Sequence, residues 1–347
     1  MRHRLTPTPN PSPQGGGDHA PIRTAALMVC TRDRPQEIAD CLASCAALAA
    51  PPGVQIVVCV ADNNAERQED AIRLAGAGYA LDLHYGHEPT RGYASVRNRA
   101  LELALAAGAD LAVFIDDDST ADPGLVAEHI AAVERYGADA VLGRIDGLSQ
   151  RAREGRRVTK AGTGNVSIRR WVFDPDGGAG LRFDPRLNLL GFEDFEFFGD
   201  LVRRGGVIYQ TTKAVSISRP SPDAAPASVD RAFADRRVFA IMEGCNEIVA
   251  TRLRHGLGAA LVRLVRRHGP QLLRGLAGLA TWPLIAVADK NRAGRRREAA
   301  CIRLAKVSGA ITGLWRPGYE RPLARTGRLV EVVPRAHEGQ RPHPPMA

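Results

Sequence analysis

The ten residues LAVFIDDDST (111–120) run five apolar side chains straight into three adjacent carboxylates. An apolar run this short, rich in β-branched and aromatic side chains, reads as a buried strand. Asp116, Asp117 and Asp118 repel one another unless a cation neutralises them. Hard oxygen donors at a strand end suit Mg²⁺ or Mn²⁺ bridged to a phosphate. Alternate residues of an extended chain point the same way, so Asp116 and Asp118 face one ligand while Asp117 faces elsewhere. A solvated acidic turn is the plain alternative.

Upstream, AALMVC (25–30) reads as a strand, TRDRP turns into a helix over about 36–48, and VQIVVCV (54–60) is a second strand ending at Asp62-Asn63-Asn64. A short helix and a weaker strand at ALDLHY (80–85) follow. A helix runs from Gly92 to Ala107, with Val96, Ala100, Leu103 and Ala107 on one stripe. This alternation predicts an α/β fold, a Rossmann-like, mostly parallel sheet with helices on both faces. In such a sheet ligands bind beyond the carboxyl ends of the strands. Successive ends here carry Thr31-Arg32-Asp33, Asp62-Asn63-Asn64 and Asp116-Asp117-Asp118. The repetition outweighs any one of them, because Asp and Asn are common in turns.

Downstream, strands are expected at 139–143 and 164–169, with a basic, mobile stretch (151–160) between them. GFEDFEFFGD (191–200) is a second acidic group, with Glu193 and Asp194 at a helix start, where backbone N–H groups favour negative charge. A simple N-cap is the alternative. Gly205-Gly206 ends this helix, and VIYQ and AVSIS supply further strands. The domain reading is a disordered segment at 1–21, a catalytic domain at 22–218, a Pro-rich linker at 219–230, a basic helical region at 231–316 and a disordered tail at 317–347.

The 347 residues carry a net charge of +9, but unevenly. Residues 251–347 hold 19 Lys and Arg against 5 Asp and Glu, whereas residues 1–250 hold 28 against 33. A basic tail on a mildly acidic body suggests an anionic partner surface. Six cysteines without a C-x-x-C spacing read as free thiols in a reducing cytoplasm, with Cys41 and Cys45 packed inward. The N-terminus lacks the apolar core of a secretory signal. The longest apolar run in the basic region, Gly275 to Ala288, has 14 residues, short of the roughly 20 that a span needs. It reads as a core helix hairpin or an interfacial anchor, and the basic clusters on both sides favour the anchor.

From residue 24 to about 218 the motifs resemble, in order, those of the inverting glycosyltransferases of family 2, which have the GT-A fold. VCTRDRP resembles the first-strand loop that meets the nucleotide diphosphate, implicating Thr31 and Arg32. VVCVADNN resembles the second-strand end, where the resemblance implies that Asp62 bonds the base. EPTRGYASVRNRAL places Arg97 near the nucleotide. FIDDD resembles the D-x-D signature, with Asp116 towards ribose or metal, Asp117 beside the nucleotide sugar and Asp118 on the metal. GTGNVSIRR (162–170) resembles the strand lining the sugar, with Asn165 within reach. GFEDFEFF resembles the Glu-Asp motif, making Asp194 the general base, with Glu193 beside it. The resemblance implies Mg²⁺ or Mn²⁺, a nucleotide-sugar donor and a glycan or lipid-linked acceptor, in polysaccharide biosynthesis. The chain lacks the Q-x-x-R-W string and the long apolar helices of processive synthases, which implies a non-processive enzyme. With the basic helical region as its anchor, it is expected in the cytoplasm, peripheral on the cytoplasmic face of the membrane.

Two other readings compete. Asp116-x-Asp118-x-Thr120 also fits a haloacid-dehalogenase-type phosphatase, but that motif normally opens its domain, and two strand–helix units precede it here. A non-catalytic module binding a sugar nucleotide or nucleic acid is the other. The basic tail lacks the aromatic interleaving of single-strand binders, so no nucleic acid is expected.

Overall fold

The computed structural model describes residues 20–146, 152–219, 229–288 and 290–315, with side chains for all of these except 229–239 and 282–292. The 1–21 segment, the 219–230 linker and the 317–347 tail lie outside them, apart from a residue or two at their inner ends. The chain divides into two compact units, residues 1–222 and 223–347.

The first unit opens with β1 (Thr24–Thr31), α1 (Pro35–Cys45), β2 (Gln55–Asp62), α2 (Glu69–Gly76), β3 (Leu83–His87), α3 (Tyr93–Ala106) and β4 (Leu111–Asp116). It continues through β5 (Ser119–Ala121), α4 (Leu125–Tyr136), β6 (Ala140–Asp146), β7 (Arg157–Val158) and β8 (Asn165–Arg169). The short α5 (Arg170–Phe173), α6 (Glu193–Arg203) and β9 (Ile208–Ser218) complete it. One sheet runs β3-β2-β1-β4-β8-β6-β9-β5, with β7 paired to β9. The strands joined by α1, α2 and α3 are parallel, as crossover connections require. β8 then enters antiparallel to both β4 and β6, so the sheet is mixed. VIYQ and AVSIS form one long strand, β9, rather than two. Within the basic 151–160 stretch, Arg157–Val158 pairs with β9 and is not a free loop.

Alternation along the strands sorts the core. Ala26 and Met28 of β1 face α3 and α6, where Leu101, Phe197 and Phe198 are buried. Ala25, Leu27 and Val29 face α1 and α4, where Cys41, Leu42 and Val133 are buried. Helices therefore cover both faces. Register brings the strand ends into line, because Thr31 pairs with Asp62, Cys30 with Asp116 and Asp62 with His87. The polar residues that end β1, β2 and β4 thus share one edge.

The second unit comprises α7 (Val229–Arg263), a π-helical turn (264–268), α8 (Gly269–Ala288) and α9 (Lys290–Thr312). α7 kinks at Gly256, whose φ of 84° is a left-handed conformation that glycine adopts without a Cβ clash. No helix among the described residues is long and apolar enough to cross a membrane.

One buried titratable group in the first unit sits away from the edge. His129 of α4 is fully enclosed. Burial lowers its pKa to about 4, against a smaller upward pull from its bond to Asn165. The folded chain resists the proton that the unfolded chain takes at about 6.5, so the stability that this group contributes is complete above 6.5 and is lost as pH falls towards 4. The shift corresponds to on the order of 3 kcal/mol. In urea unfolding from pH 7 to pH 4, His129→Gln is expected to lose stability less steeply than the parent chain by that order. Parallel pH profiles would show that His129 is not the group responsible.

Candidate active site

Five carboxylates gather around the end of β4 and the start of α6, and two arginines hold them. Arg34, just before α1, meets Asp117 Oδ1 at 2.7 Å and Asp118 Oδ2 at 3.0 Å. Thr31 Oγ1 donates to Asp117 Oδ2 at 2.8 Å. Asp117 is thus buried and turned into the protein, with its pKa raised to about 6 by burial, against the pull of Arg34 and Thr31. Asp116 lies on the other side of the strand. Solvent reaches its side chain although protein atoms surround it. Its pKa is raised first by burial and then by Asp118, with Arg97 and Arg34 pulling the other way.

The second arginine, Arg97 of α3, forms an ion pair with Glu193 that is almost wholly buried. Its guanidinium also lies 5.4 Å from the Tyr93 ring centroid and 5.9 Å from that of Phe183. Burial would lower its pKa, but Glu193, Asp194 and Asp116 together raise it, so it remains charged. Glu193 is sealed, whereas Asp194, the next residue, is partly exposed and takes the Phe195 N–H at 2.7 Å. Phe192, immediately before, has a left-handed φ of 69°, and Asp33 in the loop after β1 has 54°. Bulky residues rarely adopt such angles, and strained backbone clusters at functional sites.

The segment Gly162-Thr163-Gly164 touches both acid groups. A Cβ on Gly164 would stand 2.8 Å from Asp116 Oδ2, and one on Gly162 would stand 3.5 Å from Asp194 Oδ2. These two glycines are at most about 7 Å apart along the chain. Asp116 and Asp194 therefore border the same short piece of backbone.

The family model described as "Glycosyl transferase family 2" matches residues 26–189. Over these residues, just under half of the chain, the sequence is similar to the family 2 glycosyltransferases. The succinoglycan biosynthesis protein ExoM of Rhizobium meliloti (strain 1021) is 30% identical over 214 residues, which are 56% of this chain and 66% of that protein. The chain thus spans just under two thirds of that relative. Among solved structures, the mannosyltransferase PcManGT from Pyrobaculum calidifontis, in complex with GDP-Man and Mn²⁺, aligns with a TM-score of 0.53 at 16% identity. That alignment covers 85% of this chain and 88% of the other, a likeness of fold.

Within the matched region, several residues singled out from the sequence turn inward. Asn165, expected within reach of the sugar, lies in the core. It is fully buried, with Oδ1 2.7 Å from His129 Nε2 and Nδ2 donating to the carbonyls of Arg144 and Ala214. A polar residue in a strand looks like a ligand contact when its partner lies 36 residues away on α4. Asp62 is also fully buried. Its carboxylate accepts from Asn64 N and Nδ2, Gln68 N and Tyr85 OH, and so shapes the loop after β2. Arg32 donates to the carbonyl of Asn63, bridging the loops after β1 and β2. Asp116, Asp118 and Asp194 remain accessible to solvent.

The structure adds three residues that sequence reading missed. Arg34 is the counter-ion of the aspartate triplet, signalled only by a second arginine in TRDRP. Buried Asn63 donates to the carbonyls of Glu88 and Thr90 and accepts from Gly92 N. Asn188 caps α3 by accepting from Ser95 N and donating to Ser95 Oγ. Among the described residues, no three His, Cys, Asp or Glu side chains are placed to share one metal ion.

Asn63 is thus the fastener between the β2 and β3 ends. Asn63→Ala leaves three backbone groups without their partner and is expected to cost about 2 kcal/mol in urea unfolding. A cost below about 0.5 kcal/mol, the usual range for surface substitutions, would show that water replaces these bonds.

Proposed function

We propose that the chain is an inverting, non-processive glycosyltransferase that moves a sugar from a nucleotide-sugar donor to a hydroxyl acceptor, with Mg²⁺ or Mn²⁺, in polysaccharide assembly. The observation that carries this reading is the shared border on Gly162-Thr163-Gly164: Asp116 on one side and the partly exposed Asp194 on the other. The family match and the succinoglycan relative support sugar transfer and a polysaccharide context. The acceptor is a glycan or lipid-linked intermediate. Six free thiols fit a reducing compartment, and burial pushes Cys30 and Cys59 up to about 12, so neither is a nucleophile. On this reading the reaction belongs to the cytoplasm.

The donor set fits a hard divalent cation. The Asp116 carboxylate accepts no hydrogen bond from the described residues, and Asp118 raises its pKa. Asp116 and Asp118 would hold the ion through their carboxylate oxygens, the hard donors that Mg²⁺ or Mn²⁺ takes. When bound, the ion supplies positive charge against the charge that develops on the diphosphate leaving group. Arg34 holds Asp118 meanwhile, and Arg32 and Arg34, on the loop after β1, would offer their charge to the diphosphate. The acceptor hydroxyl forms its bond to the anomeric carbon on the face opposite the breaking bond to diphosphate. Its proton passes to Asp194, while Glu193, locked on Arg97, fixes the start of α6. The phosphatase alternative gains no support from the family match.

Chelation is expected to abolish turnover of the nucleotide sugar, and Mn²⁺ or Mg²⁺ to restore it. Asp118→Ala should stay folded by circular dichroism and lose activity. Full activity in excess chelator would defeat the metal assignment.

Asp194→Asn keeps the shape but cannot take a proton. Donor affinity, measured by calorimetry, is expected to hold while transfer falls roughly 10²–10⁴-fold. Glu193→Gln should cost much less in transfer. A reversed order would make Glu193 the base, and two active variants would reduce the pair to a helix cap.

A further inference from the structure

The second unit carries an exposed apolar surface of unusual chemistry. Leu257 and Leu261 of α7, Val265 of the π-helical turn, and Leu273 and Leu276 of α8 are 44–70% exposed. On α8 these leucines lie opposite Gly275 and Gly278, where an added Cβ would meet Leu304 and Ala300 of α9 at 2.8 and 2.9 Å. The side of α8 turned from α9 is therefore apolar, where a helix on a water-facing surface would be polar.

The charges on the same stretch are one-sided. Residues 251–288 contain six Arg and no Asp or Glu. Arg263 and Arg267 turn inward and pair with Glu247, itself 1% exposed, at 3.5 and 2.7 Å. Arg266 and Arg274 are exposed and have no ion-pair partner among the described residues. The 251–288 stretch thus shows leucine and arginine outside, while the buried Glu247 draws Arg263 and Arg267 towards it. Isolated exposed leucines are ordinary, but a run of them among unpaired cations marks an interaction surface. No described helix is long and apolar enough to cross a bilayer, so the surface suits lying on one.

We propose that the 257–276 surface docks on an anionic phospholipid membrane, with Leu257, Leu261, Val265, Leu273 and Leu276 entering the acyl boundary and Arg266 and Arg274 meeting the phosphates. Charge complementarity selects this occupant over a second copy of the chain, since two copies would bring unpaired arginines together. Interfacial helices of this composition bury their apolar face about 5–10 Å deep, and long cationic side chains reach back to the headgroups. The inference is separate from the transfer chemistry, and its test uses neither donor nor acceptor.

The test is flotation of the full chain with vesicles of phosphatidylcholine alone or with one quarter phosphatidylglycerol, at low and physiological salt. The parent chain should float with the anionic vesicles, and less so as salt rises. Each basic residue near such a surface contributes about 1 kcal/mol, roughly five-fold in binding, so the Arg266→Gln/Arg274→Gln pair should bind roughly 25-fold more weakly. Leu261→Asp/Leu273→Asp should not float. Both pairs alter exposed residues, and unchanged thermal melts would confirm their folding. A chain that stays behind with anionic vesicles at low salt overturns the proposal. So does concentration-dependent dimerisation lost in the leucine pair without vesicle binding, which would assign the surface to a second copy.

Discussion

Like-charge repulsion at the carboxyl edge of the sheet is the constraint to which the rest of the first unit answers. Asp116, Asp117, Asp118, Glu193 and Asp194 come together where β4 ends and α6 begins, and two arginines from opposite faces of the sheet hold them. Arg34 enters from the α1 side and takes Asp117 and Asp118. Arg97 enters on α3 from the other side and takes Glu193, with Asp194 and Asp116 close enough to raise its pKa. Each arginine seals one carboxylate and leaves another within reach of solvent. Removing one partner of a buried pair strands a charge at a cost of about 3–5 kcal/mol, so these arginines support the fold as much as the site.

Placing two arginines within reach of five acids depends on register. β1 is paired so that Thr31 lies beside Asp62 and Cys30 beside Asp116. Asn63 then ties the β2 end to the loop before α3, and Asp62 folds its own loop around four donors. β5 pairs Ser119 with Ser218, which brings Arg219 onto the Asp118 carbonyl and onto Asp40 of α1. A one-residue slip in any of these pairings would turn the end residue to the other face. Most of the polar groups at the edge hold its loops in place, and only a few open to solvent.

That division explains what could be read from the sequence. The strands of 24–116 were legible because apolar runs bounded by turn residues are a local signal, and the aspartate triplet was legible because nothing but charge follows an apolar run. Facing direction was not. Thr31, Asp62 and Asn165 sit where a ligand residue would sit, yet each is spent on a partner between 2 and 86 residues away. Glu193 and Asp194 look equivalent in sequence, and only the position of Arg97 distinguishes them. The antiparallel entry of β8 and the joining of VIYQ and AVSIS into β9 likewise depend on pairings between distant segments. Helix α4 was overlooked between two acidic turns, although Gly137 ends it with a left-handed cap.

The second unit poses the converse problem, because composition was informative and direction again decided. A run of Leu, Val, Gly and Arg without acids is equally good as a core hairpin or a surface. The glycines settle which side is closed. A Cβ on Gly244 or Gly309 would fall within about 2 Å of the backbone carbonyl of Lys306 or Ile241, so α7 and α9 pack main chain to main chain. Gly275 and Gly278 close α8 onto the side chains of Leu304 and Ala300 of α9. With the small residues spent on internal contacts, the leucines are left outside, and Glu247 draws its arginines in. Burying a charge costs more than burying a leucine gains unless the charge is paired and bonded. Glu247 inside with leucines outside is thus the arrangement on which the docking proposal rests.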